Sequence, residues 1–331
     1  MNRVDDAFAE PRRGGRLAII IPAFKSKFLR DALRSVACQT DRRFQLYVFD
    51  DCSPEPIADV VREFTDTLRI DYHRFETNLG GASLTRHWDR CVRMTREPWV
   101  WVFSDDDVMD EGCVAAFLEE LQKTKEDHDV YRFNTVWIDG ADAIITESPR
   151  HPQNESGADF LLARLQGDRN STLQEQVFSR SAWDAMGGFL DFPLAWASDD
   201  AALAAQGARR PIRTIAGPRV RWRLSDVNIT NDKSRAVTRE KMKASAEFVL
   251  WTIAFFGHLT GGEKAKIERL TEEWFFTAVS RSQQFIDWQT CRSIDRLGQR
   301  AWGYARGYGF LRAFKQNVNL MRKRLRLSAH P

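Results

Sequence analysis

Two apolar runs in this chain each end in a cluster of carboxylates, and no other feature constrains the fold as tightly. Phe44-Gln45-Leu46-Tyr47-Val48-Phe49 leads into Asp50-Asp51, and Trp99-Val100-Trp101-Val102-Phe103-Ser104 leads into Asp105-Asp106-Asp107. A short apolar run closed by a turn is the pattern of a strand buried on both faces. In an open α/β sheet, ligands bind beyond the carboxyl ends of such strands. Carboxylates converging there can hold a divalent cation and a polar ligand. Three adjacent carboxylates repel one another unless a cation or a donor compensates, so the second cluster points to a metal.

The segments between the runs alternate in period. Leu17 to Ile21 is a further strand, stopped by Pro22, and Leu29, Leu33, Val36 and Ala37 then recur at helical spacing. Ile57, Val60, Val61, Phe64 and Leu68 predict another helix, Arg69 to Phe75 a strand, and Asn78-Leu79-Gly80-Gly81 a turn. Leu84, Trp88 and Val92 form one more helical stripe, and Val114, Phe117, Leu118 and Leu121 another. This alternation predicts βαβ units: an α/β, Rossmann-like fold with a mostly parallel sheet flanked by helices. After about residue 128 the pattern changes. Val130 to Ile138 predicts a strand, a polar loop runs through Gly157, and two strands are expected at 212–215 and 220–224. From Ser234 onward the chain predicts a helical C-terminal region, and residues 1–15 a flexible tail.

A chain of 331 residues can bury one large core or two. The net charge of +3 is too small to argue for nucleic acid. Cys38, Cys52, Cys91, Cys113 and Cys291 are scattered, form no Cys-x-x-Cys pair and suit a reducing compartment. The beginning of the chain lacks a signal-peptide core. The longest apolar stretch, Phe248 to Phe256, falls short of the about 20 residues that span a bilayer. A cytoplasmic protein is expected, with attachment to the inner membrane face left open.

The motifs also stand in a familiar order. Leu17-Ala18-Ile19-Ile20-Ile21-Pro22-Ala23-Phe24, Leu33-Arg34-Ser35-Val36-Ala37-Cys38-Gln39-Thr40 and Val48-Phe49-Asp50-Asp51-Cys52-Ser53 resemble the opening of family 2 glycosyltransferases. Asn78-Leu79-Gly80-Gly81 resembles their Asn-x-Gly turn, and Phe103-Ser104-Asp105-Asp106-Asp107 stands at their Asp-x-Asp motif. Arg180 to Phe189 is similar to the segment preceding their acceptor site, and Ser198-Asp199-Asp200 to their Glu-Asp helix. The match covers roughly residues 16–225, and its strength lies in the order and spacing of motifs that are individually weak.

The resemblance implies a GT-A fold, a nucleotide-sugar donor with UDP favoured, a glycan or lipid-linked acceptor, and Mn²⁺ or Mg²⁺. It divides a catalytic domain at 16–230 into a nucleotide-sugar half, 16–128, and an acceptor half, 129–230, before a helical region at 231–331. It implies that Pro22, Ala23, Phe24, Asp50, Asp51, Asn78, Gly80, Arg86, Asp105 and Asp106 meet the donor nucleotide, with Asp51 on the base. Asp106 and Asp107 are the implied metal ligands. Ser104 departs from the family's usual first Asp, and Asp105 is placed to take over that role. Asp200 is the implied catalytic base, with Asp199 where Glu is more usual. Trp222 and Arg223, after Arg221, fall where a mobile loop often closes on the pyrophosphate.

Plainer explanations stand beside these. Asp51-Cys52-Ser53-Pro54 is good turn chemistry, Ser198-Asp199-Asp200 is a good helix start, and Arg86 and Arg221 to Arg223 suit solvated cations. A phosphatase of the haloacid dehalogenase type also places Asp-x-Asp after a strand, but it leaves Asp50-Asp51 and Asp199-Asp200 unexplained. A transferase retired to glycan or partner binding is the non-enzymatic alternative. The last predicted helix carries Phe310, Leu311, Phe314, Val318, Met321 and Leu325 as an apolar stripe among Arg and Lys residues. Such a helix packs on its own domain, meets an anionic membrane, or joins a homo-oligomer.

Overall fold

The computed structural model describes residues 15–226, 228–282 and 284–328, with side chains as far as residue 323. Most of the expected tail, residues 1–14, lies outside this set, as do the side chains of Arg324, Leu325 and Arg326. The chain divides into two compact units. One comprises residues 1–161, 169–191 and 202–225, and the other 162–168, 192–201 and 226–331. The helical unit thus takes in two short segments from the middle of the chain besides the C-terminal region that the sequence marks out.

The first unit is built on β1 (Leu17–Ala23), α1 (Leu29–Ala37), β2 (Phe44–Asp50), α2 (Ile57–Arg62), β3 (Ile70–Arg74), α3 (Leu84–Arg93) and β4 (Trp99–Val102). Strands β3, β2, β1 and β4 lie side by side and parallel. Leu17 through Ile21 are wholly buried, as a parallel strand covered on both faces requires. Helix α1 turns Leu29, Leu33 and Val36 into the same core as β1 and β2.

The sheet continues through β5 (Val108–Met109), α4 (Cys113–Lys123), β6 (Val130–Ile138), β7 (Ile144–Glu147) and β8 (Asn154–Glu155). After α5 (Gly157–Gln166) come β9 (Gln176–Ser179), α6 (Arg180–Met186), α7 (Ser198–Gly207) and β10 (Ile212–Arg223). Its order is β3-β2-β1-β4-β9-β6-β10-β5, with β7 beside β6 and β8 beside β10. Here antiparallel pairs take over: β9 pairs antiparallel with both β4 and β6, while β6 and β10 remain parallel. The polar loop expected before Gly157 thus contains the short strands β7 and β8. The two strands expected at 212–215 and 220–224 are one, with its register shifted between Ile215 and Arg219. Gly217, at φ +100°, supplies the backbone conformation for that bulge.

The second unit is dominated by α8 (Arg235–Phe255), α9 (Gly261–Arg281), α10 (Trp288–Trp302) and α11 (Tyr308–Ser328). Its core gathers Val249, Phe275, Val279, Ile294, Leu297 and Ala313. Gly303, in the left-handed region at φ +66°, ends α10. Among the described residues no helix is long and apolar enough to cross a membrane.

Candidate active site

The Asp triplet sits where β4 ends and is fastened to two neighbouring strands. Asp105 Oδ2 accepts the backbone N–H groups of Phe24 and Lys25, at 2.8 and 2.9 Å, which fixes the Pro22-Ala23-Phe24 exit from β1. Asp106 Oδ1 accepts the Ser104 hydroxyl at 2.5 Å. Asp107 is wholly buried, and its Oδ1 accepts the Arg223 N–H at 2.7 Å. Its Oδ2 is buried with no hydrogen-bond partner. Desolvation, followed by the charge of Asp106, raises the Asp105 pKa to about 7 and pushes that of Asp107 well above the usual carboxylate range. Asp106 is also raised, mainly by desolvation. The departure at Ser104 is therefore accommodated: the serine becomes a donor to the middle carboxylate, and Asp105 clasps the β1 exit.

A divalent cation fits this chemistry, since it would compensate three carboxylates that burial holds toward protonation and would meet the unpartnered Asp107 oxygen. No group of three His, Cys, Asp or Glu side chains among the described residues forms a ready-made cage. A cation held by one or two carboxylates and completed by substrate phosphates suits such a site.

Arg223 is the correction to the expected loop. It lies on β10, and its side chain is wholly buried. Its Nε donates to the Asp106 carbonyl at 2.7 Å, and Nη1 to the Asp139 carbonyl at 3.0 Å and the Asp142 carboxylate at 2.6 Å. The guanidinium also stands 4.4 Å from the Phe28 ring centroid. Trp222 is buried too, edge-on to Trp137. Neither residue is on a mobile loop, because β10 continues through Arg223 with β6 as its parallel neighbour. Arg221 pairs with Asp110 at 2.7 Å.

The β2 carboxylates are equally committed. Asp50 is wholly buried and accepts from the Ser53 N–H at 2.7 Å, the Tyr72 hydroxyl at 2.7 Å and Arg74. Asp51, 2% exposed, accepts the N–H groups of Leu79 and Gly80, at 2.9 and 2.7 Å, and a guanidinium N–H of Arg90. Asp51 thereby holds the glycine turn from behind: a Cβ on Gly80 would stand 2.6 Å from its Oδ2. Asn78 closes the front by accepting the Gly81 N–H at 2.6 Å. Cys52, between Asp51 and Ser53, adopts φ 55°. A non-glycine residue there costs on the order of 1–2 kcal/mol, and such strain gathers at functional sites.

Arg86, the expected donor contact, is exposed, and its backbone N–H is capped by Ser83. One turn further along α3, Arg90 does the work at this strand end. It pairs with Asp51, donates to His87 Nδ1 at 2.9 Å and lies over Phe75 at 3.6 Å. Arg90 was missed; the available signal was its i,i+4 spacing from Arg86 on one helix face. Also on α3, Asp89 Oδ1 accepts from Trp183 Nε1 and the Phe189 N–H, both at 3.0 Å, which ties down Gly187-Gly188-Phe189.

Asp199 and Asp200 belong to the second unit, at the start of α7. Asp200 is 3% exposed, and Arg164 grips both of its oxygens, Nε to Oδ1 and Nη2 to Oδ2, each at 2.7 Å. Asp199 Oδ1 accepts the Asp200 N–H at 2.9 Å. Just before this helix, Leu194, Ala195 and Ala197 all have positive φ, at 59°, 53° and 65°. Three left-handed non-glycine residues in so short a stretch mark a segment held in a conformation it would not choose alone.

A sheet with carboxylates at the ends of β2 and β4, a glycine turn braced by one of them and a cation-compatible triplet make up a GT-A-type fold. Residues 18–175 match the family described as Glycosyl transferase family 2. That stretch, just under half of the chain, carries the likeness to family 2 glycosyltransferases. In Staphylococcus aureus, strains Mu50 and MW2, the poly(ribitol-phosphate) beta-N-acetylglucosaminyltransferase TarS is 26% identical over 111 residues. That match covers 32% of this chain and 19% of TarS, so the chain spans about a fifth of the length of the curated relatives it matches. The crystal structure of S. aureus TarS 1-349 in complex with UDP-GlcNAc has a TM-score of 0.67 at 12% identity, over 93% of this chain and 89% of that one. The corresponding UDP complex gives 0.61 at 14% identity with the same coverage. At these identities the likeness is one of fold. The family match sets aside the phosphatase alternative.

Proposed function

We propose that this chain transfers a sugar from a UDP-sugar to a hydroxyl of a glycan or lipid-linked acceptor in bacterial surface-polysaccharide synthesis, with inversion at the anomeric carbon. The observation that carries the reading is the triplet: three carboxylates at one strand end, two of them fixed by neighbouring strands and one buried oxygen left without a donor. The TarS fragment bound to UDP-GlcNAc makes that compound the first donor to try, and TarS's own name makes a polyol-phosphate polymer the first acceptor.

In this reading the nucleotide lies over the ends of β1, β2 and β4. Asp105 holds the Pro22-Ala23-Phe24 backbone in place for it, and Asp51 with Arg90 holds the Asn78–Gly81 turn. Contact of Asp51 with the base requires its carboxylate to share a lone pair it already uses for this turn. Asp106 and Asp107 would hold a Mn²⁺ or Mg²⁺ ion, which supplies Lewis-acid stabilisation of the departing diphosphate. Arg223 acts on the carboxylates rather than on phosphate: it pins the Asp106 carbonyl and the Asp107 side chain. Asp200 takes the acceptor's hydroxyl proton as that oxygen attacks the anomeric carbon and the bond to the diphosphate breaks; a single displacement inverts the centre. Arg164 holds the Asp200 carboxylate in one plane while each oxygen retains a lone pair for the proton. The five free cysteines are consistent with work in the cytoplasm.

The direct test is release of UDP from UDP-GlcNAc with a poly(ribitol phosphate) acceptor and Mn²⁺, comparing the wild type with Asp106→Asn and Asp200→Asn. Acceptor-dependent release lost in both variants supports the reading. Full activity in Asp106→Asn would remove the metal assignment, and full activity in Asp200→Asn the base assignment.

A further inference from the structure

The last two helices carry a surface that glycosyl transfer does not explain. Residues 288–328 contain ten Lys and Arg residues against one acid, Asp295, in a chain whose total charge is only +3. Asp295 is itself spent on the backbone, accepting from the N–H groups of Gly307 and Phe310. Arg296, Arg300, Arg306, Lys315, Arg322 and Lys323 have no ion-pair partner among the described residues. Arg312 alone of these cations has an acidic partner among the described residues, Glu272, so most of this charge is uncompensated there.

Apolar side chains stand on the same helices, in the open. Trp288 is 61% exposed, Leu311 65%, Phe314 49% and Met321 54%. On α11, Leu311, Phe314, Val318 and Met321 follow one another at spacings of three and four, which puts them on one face. The inward face is different: Ala313 is wholly buried, and Asn317 bonds the backbone of Ile286. The sequence left open whether this stripe packs on its own domain: Phe310 does, partly buried against the core that holds Ala313, while Leu311, Phe314 and Met321 stay exposed. The patch also extends onto α10: the Trp288 ring stands edge-on to Phe310 at 4.5 Å, and Phe310 stacks on Phe314 at 6.4 Å. Arg292 covers Trp288 from the other side, 5.4 Å from its centroid.

We propose that this face of α10 and α11 docks on an anionic lipid surface, with Trp288, Leu311, Phe314 and Met321 entering the headgroup boundary and the flanking cations meeting lipid phosphates. Exposed apolar residues beside a dense row of cations are the two contributions that interfacial helices combine, and tryptophan favours the boundary between headgroup and acyl chain. Charge decides between occupants. A second copy of the same face would bring Lys315, Arg322 and Lys323 against their own counterparts, a repulsion with no acid on α11 to relieve it, whereas an anionic bilayer complements them. The docking goes beyond sugar transfer and does not depend on it.

The experiment is sedimentation of the full chain with vesicles of phosphatidylcholine alone, or with about one third phosphatidylglycerol. Leu311→Ser/Phe314→Ser/Met321→Ser and Arg322→Gln/Lys323→Gln are compared with the wild type. All five positions are exposed, and thermal melting checks that the fold survives. The wild type should bind the anionic vesicles at least tenfold better than the neutral ones and release them in high salt. Each variant should bind at least tenfold more weakly, and the tryptophan emission, to which eleven residues contribute, should shift to the blue with anionic vesicles in the wild type and not in Trp288→Phe. Equal binding to both vesicle types, or undiminished binding by the serine variant, overturns the proposal. So does a concentration-dependent dimer in sedimentation equilibrium that the serine variant abolishes, because it assigns the face to a second copy.

Discussion

Asp107 and Arg223 are joined through opposite ends of their chemistry: the Asp107 carboxylate accepts the Arg223 backbone N–H at 2.7 Å, while the Arg223 Nε donates to the carbonyl of the preceding residue, Asp106. The arginine thus fixes the triplet's backbone and one of its side chains. Replacing Arg223 with Met should leave the half-exposed Asp142 and two carbonyls without their donor and cost roughly 1–3 kcal/mol. Urea denaturation checks the loss, and any Arg223→Met that folds in the cold should bind UDP with a weakened response to Mn²⁺. Unchanged stability would mean that the buried guanidinium contributes no net support.

Gly80 and Gly81 provide a matched pair. A Cβ on Gly80 would meet the buried Asp51 Oδ2 at 2.6 Å, whereas one on Gly81 would meet only the exposed Asn78 Oδ1, also at 2.6 Å. Asp51 cannot retreat without releasing Leu79 and Arg90. Gly80→Ala should therefore cost about 1–3 kcal/mol and weaken UDP binding, while Gly81→Ala stays close to wild type because Asn78 can swing aside. Titration calorimetry with UDP on both variants decides it; equal losses would show that Asp51 does not brace the turn.

Arg164 should act through Asp200. Removing it as Arg164→Met leaves a nearly buried carboxylate without the two bonds that orient it. kcat should then fall by about tenfold or more, and Arg164→Lys should restore part of the difference. UDP affinity should not change in either. A lower melting temperature with kcat unchanged would give Arg164 a structural role alone.

His87 predicts a contribution to acid unfolding. Burial, and to a lesser degree Arg90, lowers its pKa to about 4, against the attraction of Asp51. Its Nδ1 accepts from Arg90, so it cannot also carry a proton there. A depressed histidine binds its proton more readily in the unfolded chain. Stability from this source is therefore complete above about pH 6.5 and lost as pH falls toward 4, by roughly 2–3 kcal/mol. His87→Asn should flatten the stability curve across that window in urea titrations; an unchanged slope would assign the acid loss to other groups.

Much of this was legible in the residues because strands buried on both faces leave uninterrupted apolar runs. Leu17–Ile21, Phe44–Phe49 and Trp99–Val102 could hardly be anything else, and the carboxylates that follow them mark where the chain leaves the sheet. What was not legible depended on partners distant in sequence. Arg223 resembled a loop cation because nothing local announces that Asp107, Asp139 and Asp142 surround it. Arg90 was overlooked beside Arg86 because only the fold brings Asp51 to that turn of α3. The assignment of 162–168 and 192–201 to the helical unit likewise has no periodic signature, since these segments are too short to show one.

The central claim is that the Asp triplet holds a divalent cation for a nucleotide diphosphate. Calorimetric titration of UDP into the full chain, with and without Mn²⁺ and in wild type and Asp106→Asn, tests it most directly. Mn²⁺ should raise wild-type affinity by about tenfold or more, equal to about 1.4 kcal/mol, and the enhancement should vanish in Asp106→Asn with the melting curve intact. The same UDP affinity with and without Mn²⁺, or an enhancement that survives in Asp106→Asn, would contradict the account.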